Sequence, residues 1–222
     1  MDIYSEESLK QFIEQNPLNF SARRIELAKK DFYGVRNGKV SDEYADYILW
    51  ALGEPSRHEH FGKYLLHFIK ENGWKSILEV GCGEETLLAQ WLYQHLEGDV
   101  SITAMDICEM HCNEPEIRLV RKAFDKNEDL SGYDVVVAQE PCDATESVIS
   151  ACTEQNIPFC VILCGVAHTR LTGELDEDAY DWYAYLMKTY PGCGFQLWKN
   201  GRFSSGCIYS ENVFYKLKQG EN

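Results

Sequence analysis

From Trp74 onward, short apolar runs alternate with longer segments whose apolar residues recur at helical spacing. The short runs lack strict polar–apolar alternation, which indicates strands buried on both faces, as in a parallel sheet. The predicted strands are Ser76–Val80, Ser101–Asp106, Ile117–Val120, Tyr133–Ala138 and Pro158–Leu163, and the predicted helices are Glu85–Leu96, Ala144–Glu154 and Asp176–Tyr190. This pattern predicts an α/β fold with a doubly wound, mostly parallel sheet.

The two ends of the chain follow other patterns. Residues 1–72 are predicted to form a helical N-terminal extension, in which Ser41 can cap one helix and Ser56 with Glu59 has the spacing of a capping box ahead of another. This extension is either a lid or a plain packing element. Residues 73–222 form the predicted α/β domain. Its last predicted strands, which read as antiparallel, are Phe195–Trp198, Cys207–Tyr209 and Val213–Leu217.

The most informative segment is ILEVGCGEETLL, residues 77–88. It reads as a strand, a tight glycine turn and a helix, with Glu79 two positions before Gly81. Asp106 ends the next predicted strand and lies 23 positions beyond Gly83. That interval is close to the one at which nucleotide-binding α/β units place a ribose-binding acid.

Together, the loop and Asp106 resemble the cofactor site of class I S-adenosylmethionine-dependent methyltransferases. The resemblance implies a Rossmann-like domain finished by an antiparallel hairpin, with S-adenosylmethionine as cofactor. Glu79 would hydrogen-bond the ammonium of the methionine moiety, and Asp106 would accept both ribose hydroxyls. Asp125, next to Phe124, would face the adenine amino group, with an N-cap or loop role as the alternative. The expected cofactor-binding residues are Glu79, Gly81, Cys82, Gly83, Asp106, Ile107, Phe124, Asp125 and Gln139.

The loop departs from the family in one respect, because Glu85 stands where a third glycine is usual. Glu84 and Glu85 also distinguish between two cofactors. Both carboxylates would interact favourably with the positive end of the helix dipole, but they would repel the diphosphate of a nicotinamide or flavin dinucleotide. The methyl donor has no phosphate and is cationic, so the pair favours it. A dinucleotide-dependent oxidoreductase remains the less favoured alternative.

Candidates for the chemical step are few. Gln139-Glu140-Pro141-Cys142 follows the fourth predicted strand, where ligands of open α/β sheets bind. Glu140 is a candidate general base or an anchor for a cationic substrate, with a solvated turn acid as the alternative. His168 follows the fifth strand and is the best-placed histidine. Cys108, His111 and Cys112 lack a second pair of ligands for zinc, so no metal is predicted.

The composition of the chain narrows the range of possible binding partners. A net charge of −15, from 36 acidic and 21 basic residues, disfavours a nucleic-acid partner and favours a cationic ligand. No apolar run is long enough to cross a membrane. The first residues are polar, so they do not resemble a secretory signal. Nine cysteines in a chain with no such signal suit a reducing compartment. We therefore expect a cytoplasmic protein that methylates a small molecule. The alternative is a non-catalytic domain of the same fold that binds a cofactor or a protein.

Overall fold

The computed structural model describes residues 5–15, 57–164, 179–200, 203–211, 213 and 214, with the isolated positions 22, 25, 26 and 29. The helices in these residues are α1 (Glu6–Gln15), α2 (Arg57–Asn72), α3 (Leu87–His95), α4 (Thr145–Gln155) and α5 (Ala179–Thr189), with a 3-10 helix at Cys142–Ala144. The strands are β1 (Ser76–Val80), β2 (Ser101–Asp106), β3 (Arg118–Arg121), β4 (Val135–Gln139), β5 (Phe159–Ile162), β6 (Cys193–Asn200) and β7 (Phe203–Ser210). None of the described helices has both the length and the apolar character needed to span a membrane.

The described strands form one sheet in the order β3-β2-β1-β4-β5-β7-β6. Strands β1 to β5 pair in parallel, while β7 runs antiparallel to both β5 and β6. The order of strands reverses between β1 and β4, which is where open α/β sheets bind ligands. The predicted α/β fold, with a mostly parallel sheet and a C-terminal antiparallel hairpin, is confirmed.

Side-chain alternation divides the sheet residues between two faces. On one face, Val136 and Ala138 of β4 belong to a buried cluster with Ile149 of α4 and with Trp182 and Leu186 of α5. On the other face, α3 packs behind β1. Here α2 approaches α3 closely, because a Cβ atom at Gly62 would lie 2.2 Å from the Trp91 ring. Only glycine fits at that crossing.

Several boundaries differ from the sequence prediction by a few residues, and two of these differences have a clear physical cause. The helix after the glycine loop begins at Leu87 rather than Glu85, because residues 83–86 form turns and Thr86 has a left-handed backbone with φ of 46°. The strand predicted at Val213–Leu217 does not begin at Val213, since Val213 and Phe214 lie in a turn. Phe214 is fully buried, and its ring centroid lies 5.0 Å from that of Phe68 in α2. Its apolar character therefore reflects packing rather than strand pairing.

The chain divides into two compact units, Met1–Phe61 and Gly62–Asn222. The helix predicted after Ser41 and the N-terminal part of Asp176–Tyr190 lie outside the described residues. Within the first unit, α1 buries Leu9. The second unit contains the sheet and every candidate site residue that the structure describes.

Candidate functional site

The loop between β1 and α3 depends on two glycines with left-handed backbones. Gly81 has φ of 70° and donates its N–H to the Met105 carbonyl at 2.8 Å. A Cβ atom there would lie 2.7 Å from Cα of Pro141, so the loop after β1 rests directly on the loop after β4. Gly83 has φ of 69°, but a Cβ atom there would meet no described atom within 4 Å. Gly81 is thus required by packing, whereas Gly83 borders open space.

Strand register brings three of the predicted polar side chains to one face of the sheet. Glu79 is in register with Ala104 of β2 and with Val137 of β4. Asp106 and Gln139 lie two residues farther along those strands, so their side chains share the face of Glu79. All three are at the carboxyl edge of the sheet, on the side where α3 begins.

Glu79 is a buried carboxyl group, with 2% of its surface exposed. Its Oε2 accepts the N–H of Ala89 at 2.9 Å, in the first turn of α3. Burial raises the pKa of Glu79 to about 8; the Ala89 hydrogen bond opposes that rise, and the charge of Asp106 adds to it. The carboxyl therefore caps α3, and a cation placed beside it would strongly favour its ionised form.

Asp106 organises the loops that follow β1 and β2. Its Oδ2 accepts the Gly83 N–H at 2.9 Å and its Oδ1 accepts the Cys108 N–H at 3.0 Å. The Cys108 thiol also hydrogen-bonds Asp106, and its pKa rises to about 12, first through burial and then through this contact. Since each carboxylate oxygen has two acceptor sites, further donors could still be accommodated.

Hydrogen bonds hold the segment after β2 against the start of α3. His111 donates its N–H to the Glu84 carbonyl at 2.6 Å, and the Thr86 hydroxyl donates to the His111 carbonyl at 3.1 Å. Farther along, Asn113 donates its N–H to Oε1 of Gln90 at 3.1 Å. These contacts fix the path of the chain beside Asp106.

Two predicted residues of the same region differ in environment. The thiol of Cys82 lies 3.3 Å from Sδ of Met110, and burial, followed by the charges of Glu79 and Asp106, raises its pKa. Ile107, by contrast, is 68% exposed immediately after Asp106. An apolar side chain at this edge can pack against a flat ring.

Phe124 and Asp125 separate in the structure. Phe124 packs partly buried against the core cluster on the other face of the sheet. Asp125 is exposed, and its Oδ1 accepts both the backbone N–H and the side-chain N–H of Asn127 at 2.8 Å. These hydrogen bonds lower the pKa of Asp125. The carboxylate therefore closes a local turn.

Gln139 ends β4 with an unsatisfied polar atom. The residue is 8% exposed, and its buried Oε1 has no hydrogen-bond partner in the described part of the chain. A buried acceptor without a partner is costly, so a ligand that donates a hydrogen bond here would be stabilised.

The backbone after Gln139 is strained. Glu140 has φ of 54° and Cys142 has φ of 49°, values that residues other than glycine rarely adopt. The Glu140 N–H donates to the Ile162 carbonyl at 2.8 Å, which fixes this turn to the end of β5. Strain of this kind is concentrated at functional sites.

The structure says less about the remaining candidate residues. His168 lies outside the described residues. Among the residues that the structure describes, no three histidine, cysteine or acidic side chains are grouped as metal ligands. Glu85, at the position of the missing glycine, is buried with 3% of its surface exposed, and its carbonyl accepts the Gln90 side-chain N–H at 2.6 Å.

The sequence analysis did not identify Thr86 and Gln90, whose side chains hydrogen-bond the segment after β2. Both are polar residues beside apolar ones: Thr86 directly precedes the helix and Gln90 lies in its first turns. That placement is the signal that could have identified them. A surface groove of about 410 Å³, lined by residues including Asn156, Phe159 and Gly192, lies at the amino end of β5, away from these loops.

No protein-family model matches the chain, and comparison with curated proteins finds no significant match. Among solved structures, human N-acetylserotonin methyltransferase in complex with SAM is 14% identical, with 93% of this chain and 70% of that chain aligned and a TM-score of 0.46. The methyltransferase domain of bacterial CtHen1 is 15% identical, covering 68% of this chain and 98% of that one, with a TM-score of 0.45. SAH-bound PaMTH1 of Podospora anserina is 12% identical, covering 71% and 80%, with a TM-score of 0.41.

These similarities are distant, and the fold assignment rests on the strand order and register. Five parallel strands, a reversal between β1 and β4, and an antiparallel β7 between β5 and β6 define the sheet. This arrangement is the mostly parallel α/β sheet with a C-terminal antiparallel hairpin that the resemblance to class I methyltransferases implies.

Proposed function

We propose that this protein binds S-adenosylmethionine at the carboxyl edge of β1, β2 and β4 and transfers its methyl group to a small-molecule acceptor. The observation that carries the proposal is the loop between β1 and α3. Its glycines are held in left-handed conformations while Asp106 accepts the Gly83 N–H. Glu79, Asp106 and Gln139 then face one side of that loop.

The residues present fit this cofactor. The space beside Gly83 allows a ligand to approach the backbone. The orphaned Oε1 of Gln139 and the buried carboxyl of Glu79 are acceptors suited to an ammonium group. Asp106, at the end of β2, is placed to accept ribose hydroxyls, and exposed Ile107 beside it can cover the adenine.

A diphosphate fits less well. Glu85 is buried and Glu84 partly buried in the turn that leads into α3, where a pyrophosphate would need unopposed N–H donors. Asp106, at the end of β2, adds further negative charge. This concentration of carboxylates favours a cationic cofactor over a nicotinamide or flavin dinucleotide.

When bound, S-adenosylmethionine supplies an electrophilic methyl group on a sulfonium centre. The task of the protein is to orient an acceptor in line with that group and to exclude water, which can account for roughly 7–11 kcal/mol of a barrier. Glu140 is the proposed base or cationic anchor, because its strained turn holds it at the end of β4. A role for His168 is proposed from its place in the sequence alone.

A small-molecule acceptor is proposed from the charge of the chain. A net charge of −15 disfavours a polyanionic acceptor, whereas it attracts a cationic metabolite. The protein is proposed to act in the cytoplasm.

One observation favours a non-catalytic role as the second candidate. The carboxyl of Glu79 already caps α3, and its raised pKa keeps much of it protonated near neutral pH. A domain that binds the cofactor without turning it over would tolerate this arrangement. Cofactor affinity without methylation of any acceptor would support that alternative.

The test of the proposal is calorimetric titration with S-adenosylhomocysteine, with a nicotinamide dinucleotide titrated in parallel. We expect micromolar affinity for the first ligand and none for the second. Asp106→Asn should weaken binding about tenfold or more, on the order of one charge-assisted hydrogen bond. Asp129→Asn is the matched control, because Asp129 also accepts a backbone N–H, from Ser131 at 3.0 Å, in an exposed turn.

Equal affinities of these two folded variants would remove the assignment of Asp106. Preferential binding of the dinucleotide would instead establish the oxidoreductase alternative. Absence of binding for either ligand would overturn the proposed function.

A further inference from the structure

Strand β3 lies at one edge of the sheet that the described strands form, and it pairs in parallel with β2 alone among them. Lys122, directly after the strand, donates its N–H to the Asp106 carbonyl of β2 at 2.9 Å. Because successive residues of a strand direct their backbone groups to opposite sides, those of Leu119 and Arg121 point away from β2. The edge therefore presents two N–H groups and two carbonyls to an incoming strand.

The side chains along this edge are exposed and mostly basic. Leu119 is 40% exposed, although it is a large apolar residue, and Arg118 and Arg121 are exposed as well. Val120 packs partly buried against the core cluster, which anchors the strand. Residues 118–122, with the sequence RLVRK, contain three bases and no acid in a chain whose net charge is −15. The β3 edge is therefore a cationic, partly apolar surface on a protein of opposite net charge.

The two arginines are placed to pair with carboxylates. Nζ of Lys122 lies 2.6 Å from Oε1 of Glu128, so the charge of this lysine is already balanced. Nε of Arg121 donates to the Ile107 carbonyl at 3.4 Å, which holds the side chain beside the end of β2 and uses one of its five N–H donors. The remaining donors can bind a carboxylate through two parallel hydrogen bonds.

We propose that the β3 edge is a docking surface for an acidic, extended peptide segment of a partner protein, which adds to the sheet as a further strand. Backbone pairing with Leu119 and Arg121 would supply affinity, and the side chains of the added strand would supply specificity. Carboxylates opposite Arg118 and Arg121 stand three positions apart, and two apolar residues between them face Leu119 and Val120. The segment recognised is therefore acidic–apolar–apolar–acidic.

A second copy of the chain would be a poor occupant of the same edge. Pairing of two β3 strands would bring the arginines of both copies together, and like charges on neighbouring strands are destabilising. Carboxylates reverse the sign of that interaction. Charged side chains on an edge strand also discourage pairing with neutral strands. Charge complementarity thus selects an acidic segment.

The experiment is a fluorescence anisotropy titration of the full-length protein, with a fluorescein-labelled TEVVET peptide as the probe. We expect saturable binding, which the charge-reversed peptide TKVVKT does not show. Arg118→Glu and Arg121→Glu should each weaken binding by about fivefold or more, because each replaces an exposed ion pair by a repulsion. Lys70→Glu is the matched control, since it changes the net charge equally at an exposed position of α2.

Two further measurements separate strand addition from a contact between charges alone. A TEVVET peptide that is N-methylated at both valines keeps its charge but loses the N–H group that faces β3, so it should bind at least about fivefold more weakly. In the complex, the amides of Leu119 and Arg121 should exchange with deuterium more slowly. The amide of Val120, which is directed at β2, should not change.

Absence of saturable TEVVET binding to the folded protein would overturn the proposal, and so would equal binding of the N-methylated peptide. Equal loss of affinity in Arg118→Glu and Lys70→Glu would contradict it, because the effect would be one of net charge. A dimer of the peptide-free protein in sedimentation, with the Leu119 and Arg121 amides protected, would make a second copy the occupant instead. Displacement of the peptide by polyuridylate at equal charge concentration would also overturn the proposal, since the surface would then bind anions in general. None of these outcomes depends on cofactor binding.

Discussion

The two halves of the candidate site accommodate unusual backbone geometry in different ways. At the ends of β1 and β2, left-handed conformations fall on Gly81, Gly83 and Thr86, so two of the three are on glycines, and Asp106 holds the loop through Gly83. At the end of β4, similar φ values fall on Glu140 and Cys142, which carry reactive groups. The first half is therefore the less strained of the two, with one left-handed residue other than glycine. The second is a turn with two such residues.

The largest expected effect comes from Gly81→Ala. A Cβ atom would lie 2.7 Å from the Pro141 backbone at a φ of 70°, so the two halves would be forced apart. We expect a loss of about 3 kcal/mol of unfolding free energy, combining left-handed strain with overpacking. Urea denaturation of the purified variant measures it.

Gly83→Ala is the matched control for that variant. It has nearly the same φ but open space around the added atom, so only about 1 kcal/mol should be lost. S-adenosylhomocysteine binding should nevertheless weaken, because the methyl group occupies the approach to the loop. Equal destabilisation by both substitutions would contradict the packing role given to Gly81.

Glu79→Gln should change the pH dependence of stability. The folded state holds a proton on Glu79 up to about pH 8, whereas the unfolded chain loses it near pH 4.5. The contribution of this group is thus fully present below pH 4.5 and is lost as the pH rises to about 8. Between pH 5 and pH 7 the wild-type protein should lose about 2 kcal/mol relative to Glu79→Gln.

Thermal or urea unfolding of both proteins across this range measures the difference. The glutamine can still accept the Ala89 N–H, so its cap is retained while the charge is removed. The same variant should bind S-adenosylhomocysteine more weakly. Parallel stability curves for the two proteins would contradict the burial cost assigned to Glu79.

The smallest effect is expected on the strained side. Glu140→Gly places a residue that accepts φ of 54° at the turn and should stabilise the protein by roughly 0.5 kcal/mol, since relief of strain exceeds the added backbone entropy. Glu140→Ala, which keeps the strain, serves as the reference. If the alanine variant were the more stable of the two in urea denaturation, the turn would not be strained.

Much of the fold could be predicted from local patterns. The apolar runs identify β1 and β2 with their exact bounds and β4, β5 and α4 within two residues, because these elements are buried and flanked by polar turns. The parallel sheet finished by an antiparallel hairpin is what the resemblance carried by the glycine loop and Asp106 implies, whereas the order of the strands is not predicted from the sequence. The prediction that a strand begins at Val213 is wrong, because a residue buried in a turn, such as Phe214, gives the same apolar pattern as a strand.

For the candidate site, the sequence suggests residues but does not reveal their contacts. Alternation within a strand places Glu79, Asp106 and Gln139 on particular faces only when the register between strands is known. The dual role of Glu79, which also caps α3 through Ala89, depends on where the helix starts, and the sequence placed that start two residues early.

The most direct test of the central claim is amide NMR during titration with S-adenosylhomocysteine. The account predicts large shifts for the N–H groups of Gly81, Gly83 and Cys108, which surround Asp106, and none for Gly132 or Gly192, which lie in other turns. Unchanged signals for the first group at saturating ligand, or shifts confined to the second, would contradict a methyl-donor site at this edge of the sheet.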